Sequence, residues 1–330
     1  MNPADSAASS APLLQSQTPG VSVVIPAYNY ARFLGSAVRS AFAQRQRPVQ
    51  VIVVDDGSTD DTPALCAALQ REFPDLLCIR QQNAGLSAAR NTGIRSAAHG
   101  LIAFLDADDE WHPEMLDTLV SDLLRQTPGT PLVACNCYRI DASGIPIGEK
   151  KTLPRGARSY SARDILFKTR FMPSCAIVRR AAFDAAGLFD TSLRSSEDRD
   201  MWVRIASLAP VRYVDLPLVR VRKHGSNMSR NSGRMRAAMR TVRRKAIHAN
   251  VVPLYHIAFW LPLLAVDHFQ GGWMYWDEYR PFLAIWHALL SVLLWPFPLD
   301  HRDLHEPPFF RIRAAARFIL QAPFRIRRAK

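Results

Sequence analysis

The sequence predicts an α/β fold in which helices cover both faces of a parallel sheet. Short apolar runs alternate with helical patterns between residues 21 and 105, and the runs are continuously apolar, as in strands buried on both faces. Polar clusters directly follow three of these runs. Because ligands of such sheets bind beyond the carboxyl ends of the strands, we expect a functional site there.

The first part of the chain predicts strands and helices in strict alternation. Val- and Ile-rich runs such as VSVVIP and VQVIVV favour strands, and Pro74 favours the end of the second helix. The predicted strands lie at 21–26, 49–54, 76–80 and 101–105, and the predicted helices at 31–45, from Thr59 and Asp60 to about Phe73, and at 86–97.

From about residue 131 the pattern loosens. Strands are predicted at 131–140, 174–179 and 211–221, and a helix is predicted to end near Gly187. Apolar residues from Met201 to Leu208 recur at helical spacing. A change to basic and aromatic composition near residue 235 predicts a domain boundary.

Composition restricts the class of protein. With 330 residues, 48% of them apolar, the chain can bury one large core or two smaller ones. Its five cysteines show no CxxC spacing, so we expect reduced thiols of a cytosolic protein. Residues 1–20 are rich in Ala, Ser, Pro and Gln without a basic start or an apolar segment, which predicts a disordered lead-in rather than a signal peptide.

The positive charge is concentrated at the C-terminal end. Residues 234–330 hold 15 Lys and Arg against 6 Asp and Glu, so they carry +9 of the formal charge of +13. A basic, aromatic segment suits nucleic acid, an anionic membrane or phosphate-bearing substrates. No nucleic-acid-binding motif is present, so we expect no nucleic acid partner.

Residues 101–111, LIAFLDADDEW, are the most informative stretch. An apolar run ends in the carboxylates Asp106, Asp108 and Asp109, and the period of two in a strand places Asp106 and Asp108 on the same side. Clustered carboxylates suit Mg²⁺ or Mn²⁺, which in turn bind phosphate oxygens. The alternative is a solvated acidic turn that leads into a helix at Pro113.

Six segments of the chain form a characteristic series: VSVVIPAYNYARFL, VIVVDDGSTDDT, QNAGLSAARNTGI, FLDADDEW, AGLFD with SSEDRDMWVRIA, and VRKHGSNMS. In this order and spacing they resemble the successive motifs of family-two glycosyltransferases. The resemblance covers about 21–230 and implies inverting chemistry and the GT-A fold. This fold is a Rossmann-like mixed sheet with helices on both faces, followed here by a mainly helical C-terminal region.

The resemblance implies a binding site for a nucleotide sugar. Tyr28 would lie against the base, Asp56 would accept a hydrogen bond from a base N–H, and Asp55 would support Asp56. From the residues alone, Asp55 and Asp56 could instead form a turn and a helix cap, and Arg90 a surface ion pair. The residues placed near the nucleotide are Pro26, Ala27, Tyr28, Asp55, Asp56, Asn83, Arg90 and Asp106.

The resemblance also implies a Mn²⁺ or Mg²⁺ site that neutralises the departing nucleoside diphosphate. Asp106 would contact ribose or metal, Asp108 would ligate the metal, and His224 would lie beside metal and diphosphate. A lone histidine is otherwise often structural. A basic group, Arg220, Arg222 and Lys223, would attract the diphosphate, whereas Asp109 has no assigned role.

A general base is needed to deprotonate the acceptor hydroxyl. The resemblance assigns this role to Asp198, which follows Glu197 at a predicted helix start, and Trp202 would form part of the acceptor wall. Two carboxylates at a helix start can also simply complement the helix dipole, and Asp200 is the nearest competitor for the base.

Two apolar, aromatic segments follow, at 251–266 and 281–299. The first is shorter than the about 20 residues of a spanning helix, and the second holds His287 and prolines near its ends. We expect helices that lie on an anionic bilayer, with a spanning or re-entrant segment and a soluble cap or oligomer surface as alternatives. The final basic residues suit lipid headgroups: Arg311, Arg313, Arg317, Arg325, Arg327 and Arg328.

The predicted organisation is a nucleotide-binding half at 21–110, an acceptor half at 111–234 and a membrane-association or cap region at 235–330. The predicted function is transfer of one sugar, from a UDP-sugar by preference, to a glycan or lipid-linked glycan at the inner face of the cytoplasmic membrane, in cell-envelope polysaccharide assembly. No Gln-x-x-Arg-Trp element follows Asp198, which favours single addition over processive synthesis. The sugar, acceptor and oligomeric state stay open.

Two other functions remain as alternatives. A nucleotidyltransferase of related fold would carry a Gly-rich, Arg-containing loop after the first strand, where this chain has PAYNYARF. A catalytically silent nucleotide-sugar-binding or membrane scaffold protein would not need Asp106, Asp108, Asp198 and His224 together.

Overall fold

A computed structural model describes residues 19–45, 49–127, 129–148, 157–224, 232–301 and 304–328. The predicted disordered lead-in at 1–20 lies almost wholly outside the described residues, as does the GSNMS part of the last motif.

Helices and strands alternate through the first half of the chain, as the sequence predicts. The elements in order are β1 (Val21–Ala27), α1 (Ala31–Phe42), β2 (Val49–Asp55), α2 (Thr62–Glu72), β3 (Leu76–Arg80), α3 (Leu86–Ser96), β4 (Leu101–Phe104), β5 (Glu110–Trp111) and α4 (Met115–Arg125).

The second half is richer in helix. Its elements are β6 (Leu132–Ile140), β7 (Ala157–Tyr160), α5 (Ala162–Phe167), a 3₁₀ turn (Pro173–Cys175), β8 (Ala176–Arg179), α6 (Arg180–Ala186), α7 (Glu197–Leu208), β9 (Val211–Arg222), α8 (Ser232–His248), α9 (Ile257–Asp277), α10 (Pro281–Leu294), β10 (Asp300–His301), β11 (Leu304–His305) and α11 (Phe310–Arg328).

Within the described residues, nine strands form one mixed sheet. The strand order is β3-β2-β1-β4-β8-β6-β9-β5, and β7 pairs with β9. Strands β3, β2, β1 and β4 are parallel, whereas β8 runs antiparallel to both β4 and β6. The parallel arrangement predicted from the apolar runs is therefore confirmed for the first four strands, and the whole sheet is mixed.

The central strand β1 brings the predicted site together. All seven of its residues are buried, which agrees with its continuous apolar run. Its last residue, Ala27, is in register with Asp55 of β2, and its Val24 is in register with Phe104 of β4. The carboxyl ends of β1, β2 and β4 therefore meet at one edge of the sheet.

Several predicted boundaries shift for local reasons. Helix α2 begins at Thr62 rather than at Thr59, because the amides of Thr59 and Asp60 donate to Asn29 Oδ1 and keep these residues in a loop. The strand predicted at 174–179 begins at 176, after the 3₁₀ turn. The strands β5 and β7 were not predicted, because two to four residues carry too little periodicity.

The C-terminal region is helical, as expected, and it packs against the sheet domain. Trp260, Leu263 and Val266 of α9 belong to the main hydrophobic core. Helices α9, α10 and α11 share a smaller core of Trp276, Ala284, Ala288, Ala315 and Phe318. Among the helices of the described chain, none combines the length and the apolar character needed to cross a membrane.

Helix α3 lies unusually close to β1 because of one glycine. A Cβ added at Gly93 would lie 2.2 Å from Val24 Cγ1 and 3.1 Å from Val24 Cβ, well inside contact distance. Val24 is fully buried in the central strand, so it has no free space to move into.

We predict that Gly93→Ala destabilises the protein by about 1–3 kcal/mol through overpacking, although alanine is the better helix former. The matched control is Gly100→Ala, because a Cβ at Gly100 meets no atom within 4 Å. Urea unfolding followed by circular dichroism measures both variants. Equal stability of the two variants would contradict the close approach of α3 to β1.

Candidate active site

A cleft of about 570 Å³ opens at the carboxyl ends of β1, β2 and β4. It borders most of the residues that the sequence assigns to the nucleotide and metal. Its lining consists of Pro26, Ala27, Tyr28, Asn29, Tyr30, Asp56, Asn83, Gly85, Leu86, Ala89, Asp106, Ala107 and Asp108. Of the predicted site residues, Asp55, Arg90, Asp198 and His224 do not line it.

Asp56 organises one wall of the cleft. Its Oδ1 accepts hydrogen bonds from Gln81 Nε2 (2.7 Å) and the Ala84 amide (2.9 Å), and its Oδ2 accepts one from the Gly85 amide (2.8 Å). The carboxylate is only 3% exposed but borders the cleft. Asp56 therefore holds the loop before α3 in place, a role that the sequence did not reveal.

Asp55 lies behind this wall. Its Oδ1 accepts the Ser58 amide (2.9 Å), and its Oδ2 is 3.6 Å from Arg80 Nε. The structure thus shows Asp55 in the turn-forming role that the residues left open. It supports the segment that carries Asp56 and does not contact the cleft.

Tyr28 and Asn29 form the opposite wall, at the end of β1. Tyr28 is 45% exposed, so the face of its ring is available to a flat ligand. Asn29 has a φ of 58°, and its amide donates to Ser58 Oγ (2.9 Å). Its side-chain Oδ1 accepts the Thr59 amide (2.8 Å), so the loops after β1 and β2 are joined.

Arg90 is buried beneath the site, not on the helix surface. Its Nη2 donates to Asp106 Oδ1 (2.9 Å) and its Nη1 to Glu197 Oε1 (2.7 Å), and its guanidinium lies over the ring of Phe189. It is 1% exposed. The predicted contact between Arg90 and the nucleotide is therefore replaced by a structural role, and Asp106 keeps a partly exposed carboxylate on the cleft side.

Asp108 and His224 lie side by side at the end of the cleft. His224 Nε2 is 2.9 Å from Asp108 Oδ2, and the imidazole packs against the rings of Phe33 and Tyr30. Burial, and then the neighbouring Asp106 carboxylate, raise the pKa of Asp108 above its ordinary value. A nearby cation would therefore stabilise the ionised form of the Asp108 carboxyl.

Asp109 is also buried, and its role is now visible. Its Oδ2 accepts the Ser174 hydroxyl (2.6 Å) and its Oδ1 the Arg222 amide (3.1 Å), so it joins the segment after β4 to the 3₁₀ turn before β8 and to the end of β9. Burial, followed by the charges of Asp108 and Asp106, raises its pKa well above the ordinary value. Ser174, which also accepts the Asp106 amide, was missed because nothing local marks it.

In the part of the chain that the structure describes, no three His, Cys, Asp or Glu side chains converge as a metal site. The predicted ligands are thus only partly assembled: Asp108 and His224 are in contact, and Asp106 is engaged by Arg90. The donor set still fits Mn²⁺ or Mg²⁺, because such ions commonly use one or two protein ligands together with substrate phosphates.

Arg222 is not available to a diphosphate, contrary to the prediction. Its guanidinium pairs with Glu110, donates to the carbonyl of Asp108 (3.0 Å) and lies over the ring of Phe33. Arg220 donates to the Tyr138 hydroxyl at a more exposed position. Of these three basic residues, Lys223 is exposed and agrees best with the predicted role of attracting a diphosphate.

The three acidic residues at the start of α7 have different environments. Asp198 is partly exposed, and burial followed by the adjacent Glu197 carboxylate raises its pKa to about 6. Asp200 is 2% exposed and paired with Arg204 (2.8 Å) and Lys245 (2.7 Å), so it is held as a structural anion. Of Asp198 and Asp200, therefore, only Asp198 keeps the character of a base.

Trp202 is a core residue and not a wall of the acceptor site. It is fully buried and packs against Phe104, Phe171 and Phe189. The resemblance made it a candidate for the acceptor wall, but its side chain belongs to the main hydrophobic core.

Comparisons with known proteins agree with this architecture. The sequence profile described as "Glycosyl transferase family 2" matches residues 22–187. An uncharacterised glycosyltransferase of Nostoc sp. is 43% identical over 101 residues, which cover 30% of this chain and 31% of the relative. Chondroitin synthase of Escherichia coli is 28% identical over 213 residues, covering 64% of this chain and 30% of the relative. The chain covers 65% of the length of an uncharacterised glycosyltransferase of Rickettsia prowazekii. It therefore spans between about a third and two thirds of the length of these three relatives.

Solved structures share the fold. A mannosyltransferase from Pyrobaculum calidifontis, in complex with GDP-Man and Mn²⁺, has a TM-score of 0.59 at 19% identity and covers 94% of this chain and 83% of its own. S. aureus TarS 1–349 in complex with UDP-GlcNAc has a TM-score of 0.53 at 18% identity, with 84% and 89% covered. These similarities confirm the GT-A fold.

We predict that Arg90→Met lowers the free energy of unfolding by about 3–5 kcal/mol, because it leaves the carboxylates of Asp106 and Glu197 without their buried counter-charge. The control is Arg95→Met, at an exposed position in the last turn of the same helix, with an expected change within about 0.5 kcal/mol. Urea unfolding measures both. A loss below 1 kcal/mol in Arg90→Met would show that the buried bridge contributes little.

Proposed function

Because the chain belongs to glycosyl transferase family 2, we propose that it is an inverting, metal-dependent enzyme that transfers one sugar from a nucleoside-diphosphate sugar to a hydroxyl of a glycan or glycolipid. The observation that carries the proposal is the cleft at the strand ends, which combines Tyr28 and Asp56 on its walls with Asp106 and Asp108 at its edge. Beside them, His224 contacts Asp108.

The cleft suits a nucleotide in shape and chemistry. Its volume of about 570 Å³ lies in the range of small-molecule sites. The exposed ring of Tyr28 offers a stacking surface for the base, and Asp56 borders the same space with a carboxylate oxygen. Asn83 is exposed on the adjoining loop. UDP is the nucleotide we favour, with dTDP and GDP as alternatives.

Asp108 and His224 would hold Mn²⁺ or Mg²⁺, with Asp106 close by on the cleft side. When bound, the ion supplies positive charge to the leaving nucleoside diphosphate. The protein contributes the placement of these ligands: Arg90 orients Asp106, and Phe33 and Tyr30 enclose the imidazole of His224.

Asp198 would be the general base. It takes the proton of the acceptor hydroxyl as that oxygen attacks the anomeric carbon, and the nucleoside diphosphate leaves on the opposite side. Inversion follows from this single displacement. The ion pairs of Asp200 with Arg204 and Lys245 favour Asp198 over Asp200, since a base must be able to take up a proton.

The acceptor is proposed to be a glycan or lipid-linked glycan of cell-envelope polysaccharide assembly, reached at the inner face of the cytoplasmic membrane. The C-terminal helices support this placement with an exposed apolar stripe on α10, formed by Phe282, Trp286, Leu289 and Leu293 at helical spacing. On α11, Ile312 and Ile319 are exposed near Arg313 and Arg317.

Two other functions are less well supported. A silent scaffold has no use for both a nucleotide-sized cleft and a carboxylate such as Asp198, whose pKa is raised to about 6. In place of a Gly-rich loop, the loop after β1 carries Tyr28 and Asn29 against the cleft, which disfavours a nucleotidyltransferase.

We predict that Asp108→Ala weakens metal-dependent binding of UDP at least ten-fold, because Asp108 borders the cleft and contacts His224. The fold should be kept, because the substitution removes a buried carboxylate that lies close to Asp106. Isothermal titration with UDP, GDP and dTDP, with Mn²⁺ or with chelator, measures this. The control is Asp117→Ala, at an exposed position on α4 away from the cleft. Failure of all three nucleotides to bind the unmodified protein would refute the proposed function, and wild-type affinity in Asp108→Ala would refute the metal assignment.

We predict that Asp198→Asn lowers kcat by about 10²–10⁴-fold with little change in donor affinity, because it removes the base but no donor contact. The base must be ionised, so wild-type kcat should fall as pH drops below about 6, the pKa of Asp198. Asp184→Asn, at an exposed position on α6, serves as the control. Asp200→Asn should instead lower thermal stability. A kcat within a few-fold of wild type in Asp198→Asn would exclude this base.

We predict that the full chain binds phosphatidylglycerol vesicles and that the double variant Phe282→Gln with Trp286→Gln binds at least ten-fold more weakly. Each nearby Lys or Arg adds about 1 kcal/mol at an anionic surface, and salt screens it over about 8 Å, so 1 M NaCl should release part of the protein. Leu208→Gln, an exposed apolar residue of α7, is the control. Vesicle sedimentation measures binding. No binding by the wild type would identify the region as a cap or a protein contact surface.

A further inference from the structure

A second cavity of about 160 Å³ adjoins the nucleotide cleft. The two share Gly85 and Leu86, and the smaller one extends towards the loop before α7 and Arg234 at the start of α8. A cavity of about 150 Å³ holds one benzene ring, so this one is large enough for one six-membered ring. The cavity plays no part in the nucleotide and metal contacts described above.

One buried hydroxyl in this cavity has no partner. Ser87 is 3% exposed, lines the cavity, and its Oγ makes no hydrogen bond within the described structure. An unsatisfied buried polar group costs stability, so its persistence at a cavity wall points to a ligand oxygen that completes it.

The charge around the cavity is positive. Arg194 and Arg234 line it, and the only carboxylate of its described lining, Glu197, already accepts a hydrogen bond from the buried Arg90. Arg194, which is exposed, offers the forked donors that match a carboxylate or phosphate.

The N-terminal turn of α3 adds to this potential. Gly85, its N-cap, has a φ of 93° and provides no side-chain cap, so the first amides of the helix need other acceptors. A Cβ at Gly85 would lie 2.8 Å from Arg194 Nη1. The absence of a side chain there lets this guanidinium lie directly against the helix start.

We propose that this cavity binds an anionic group, a carboxylate or a phosphate, carried on a single sugar ring of the carbohydrate substrate. The assignment of that ring to a substrate rests on the proposed function of the adjoining cleft. A neutral ring would cover the Arg194 guanidinium without matching its charge, whereas an anion beside it also provides acceptors for the Ser87 hydroxyl and for the first amides of α3. The ring belongs either to a donor such as a nucleoside-diphospho-hexuronic acid or to an acidic unit of the acceptor.

The first test uses the full chain without nucleotide, so it does not depend on donor binding. Saturation-transfer NMR titrations compare methyl β-glucuronide and glucose 6-phosphate with methyl β-glucoside. We expect the anionic sugars to bind at least ten-fold more tightly than the neutral one, and 0.5 M NaCl to weaken them.

Matched variants locate the site. Arg194→Gln should weaken the anionic sugars about ten-fold and Ser87→Ala a few-fold, whereas Arg95→Gln, at the far end of α3, should leave them unchanged. Arg194 is exposed, so its variant is expected to fold, and a melting curve checks this. Equal affinity for neutral and anionic sugars, or unchanged glucuronide binding in Arg194→Gln, would overturn the proposal.

A second measurement identifies the source of the anion. It compares the affinities of UDP-glucuronic acid and UDP-glucose in the presence of Mn²⁺. If the cavity holds the donor sugar, the protein should bind UDP-glucuronic acid more tightly than UDP-glucose, and Arg194→Gln should lose this preference. UDP-glucuronic acid should then also displace methyl β-glucuronide. An acceptor site predicts equal donor affinities and glucuronide binding together with UDP-glucose. If no nucleotide binds but methyl β-glucuronide binds in a way that depends on Arg194, the anion site is confirmed and the proposed binding of a nucleotide-sugar donor is wrong.

Discussion

A single buried guanidinium joins the two halves of the catalytic unit. Arg90, on α3, contacts Asp106 at the end of β4 and Glu197 at the start of α7, 107 residues further along the chain. A charge that is 1% exposed is tolerated only because it is paired twice. Asp106 faces the nucleotide cleft and Glu197 precedes Asp198, so the same side chain fixes the donor edge and the proposed base relative to each other. The position of Asp106 relative to the segment that carries Asp198 therefore depends on this bridge.

The carboxylates that follow β4 lie close together and repel one another. Asp108 and Asp109 both have raised pKa values because they are buried near each other and near Asp106. The Ser174 hydroxyl and the Arg222 amide donate to Asp109 and offset part of this cost. Asp108 receives His224, whose ring can donate or accept. On the cleft side, a divalent ion at Asp108 would offset its repulsion with Asp106.

The sequence predicted the sheet edge well, because that part of the argument is local. Apolar runs and the period of a strand place Asp56, Asp106 and Asp108 at strand ends without knowledge of any distant contact. It failed where partners are far apart in the chain. Arg90, Arg222 and Trp202 were assigned to ligands, yet each is buried by residues that no local pattern identifies. The segment from Ala84 to Ser87, where the chain enters α3, shows the same limit. Only folding reveals that Asp56 accepts the amides of Ala84 and Gly85 and that Ser87 lines a cavity.

The change in composition near residue 235 affects the residues exposed on the surface, whereas the hydrophobic core continues across it. Lys245 of α8 reaches back to Asp190 and Asp200, and α9 contributes Trp260 to the main core. Helix α7 is thus held at its first residue by Arg90 and one turn later by Lys245, so the C-terminal helices help to fix the segment that carries Asp198. Because their inner faces are used in this way, only their outer faces are available for a membrane. A membrane contact through α10 would then lie on the same rigid body as the base, and the orientation of the active site on a bilayer would follow from packing alone.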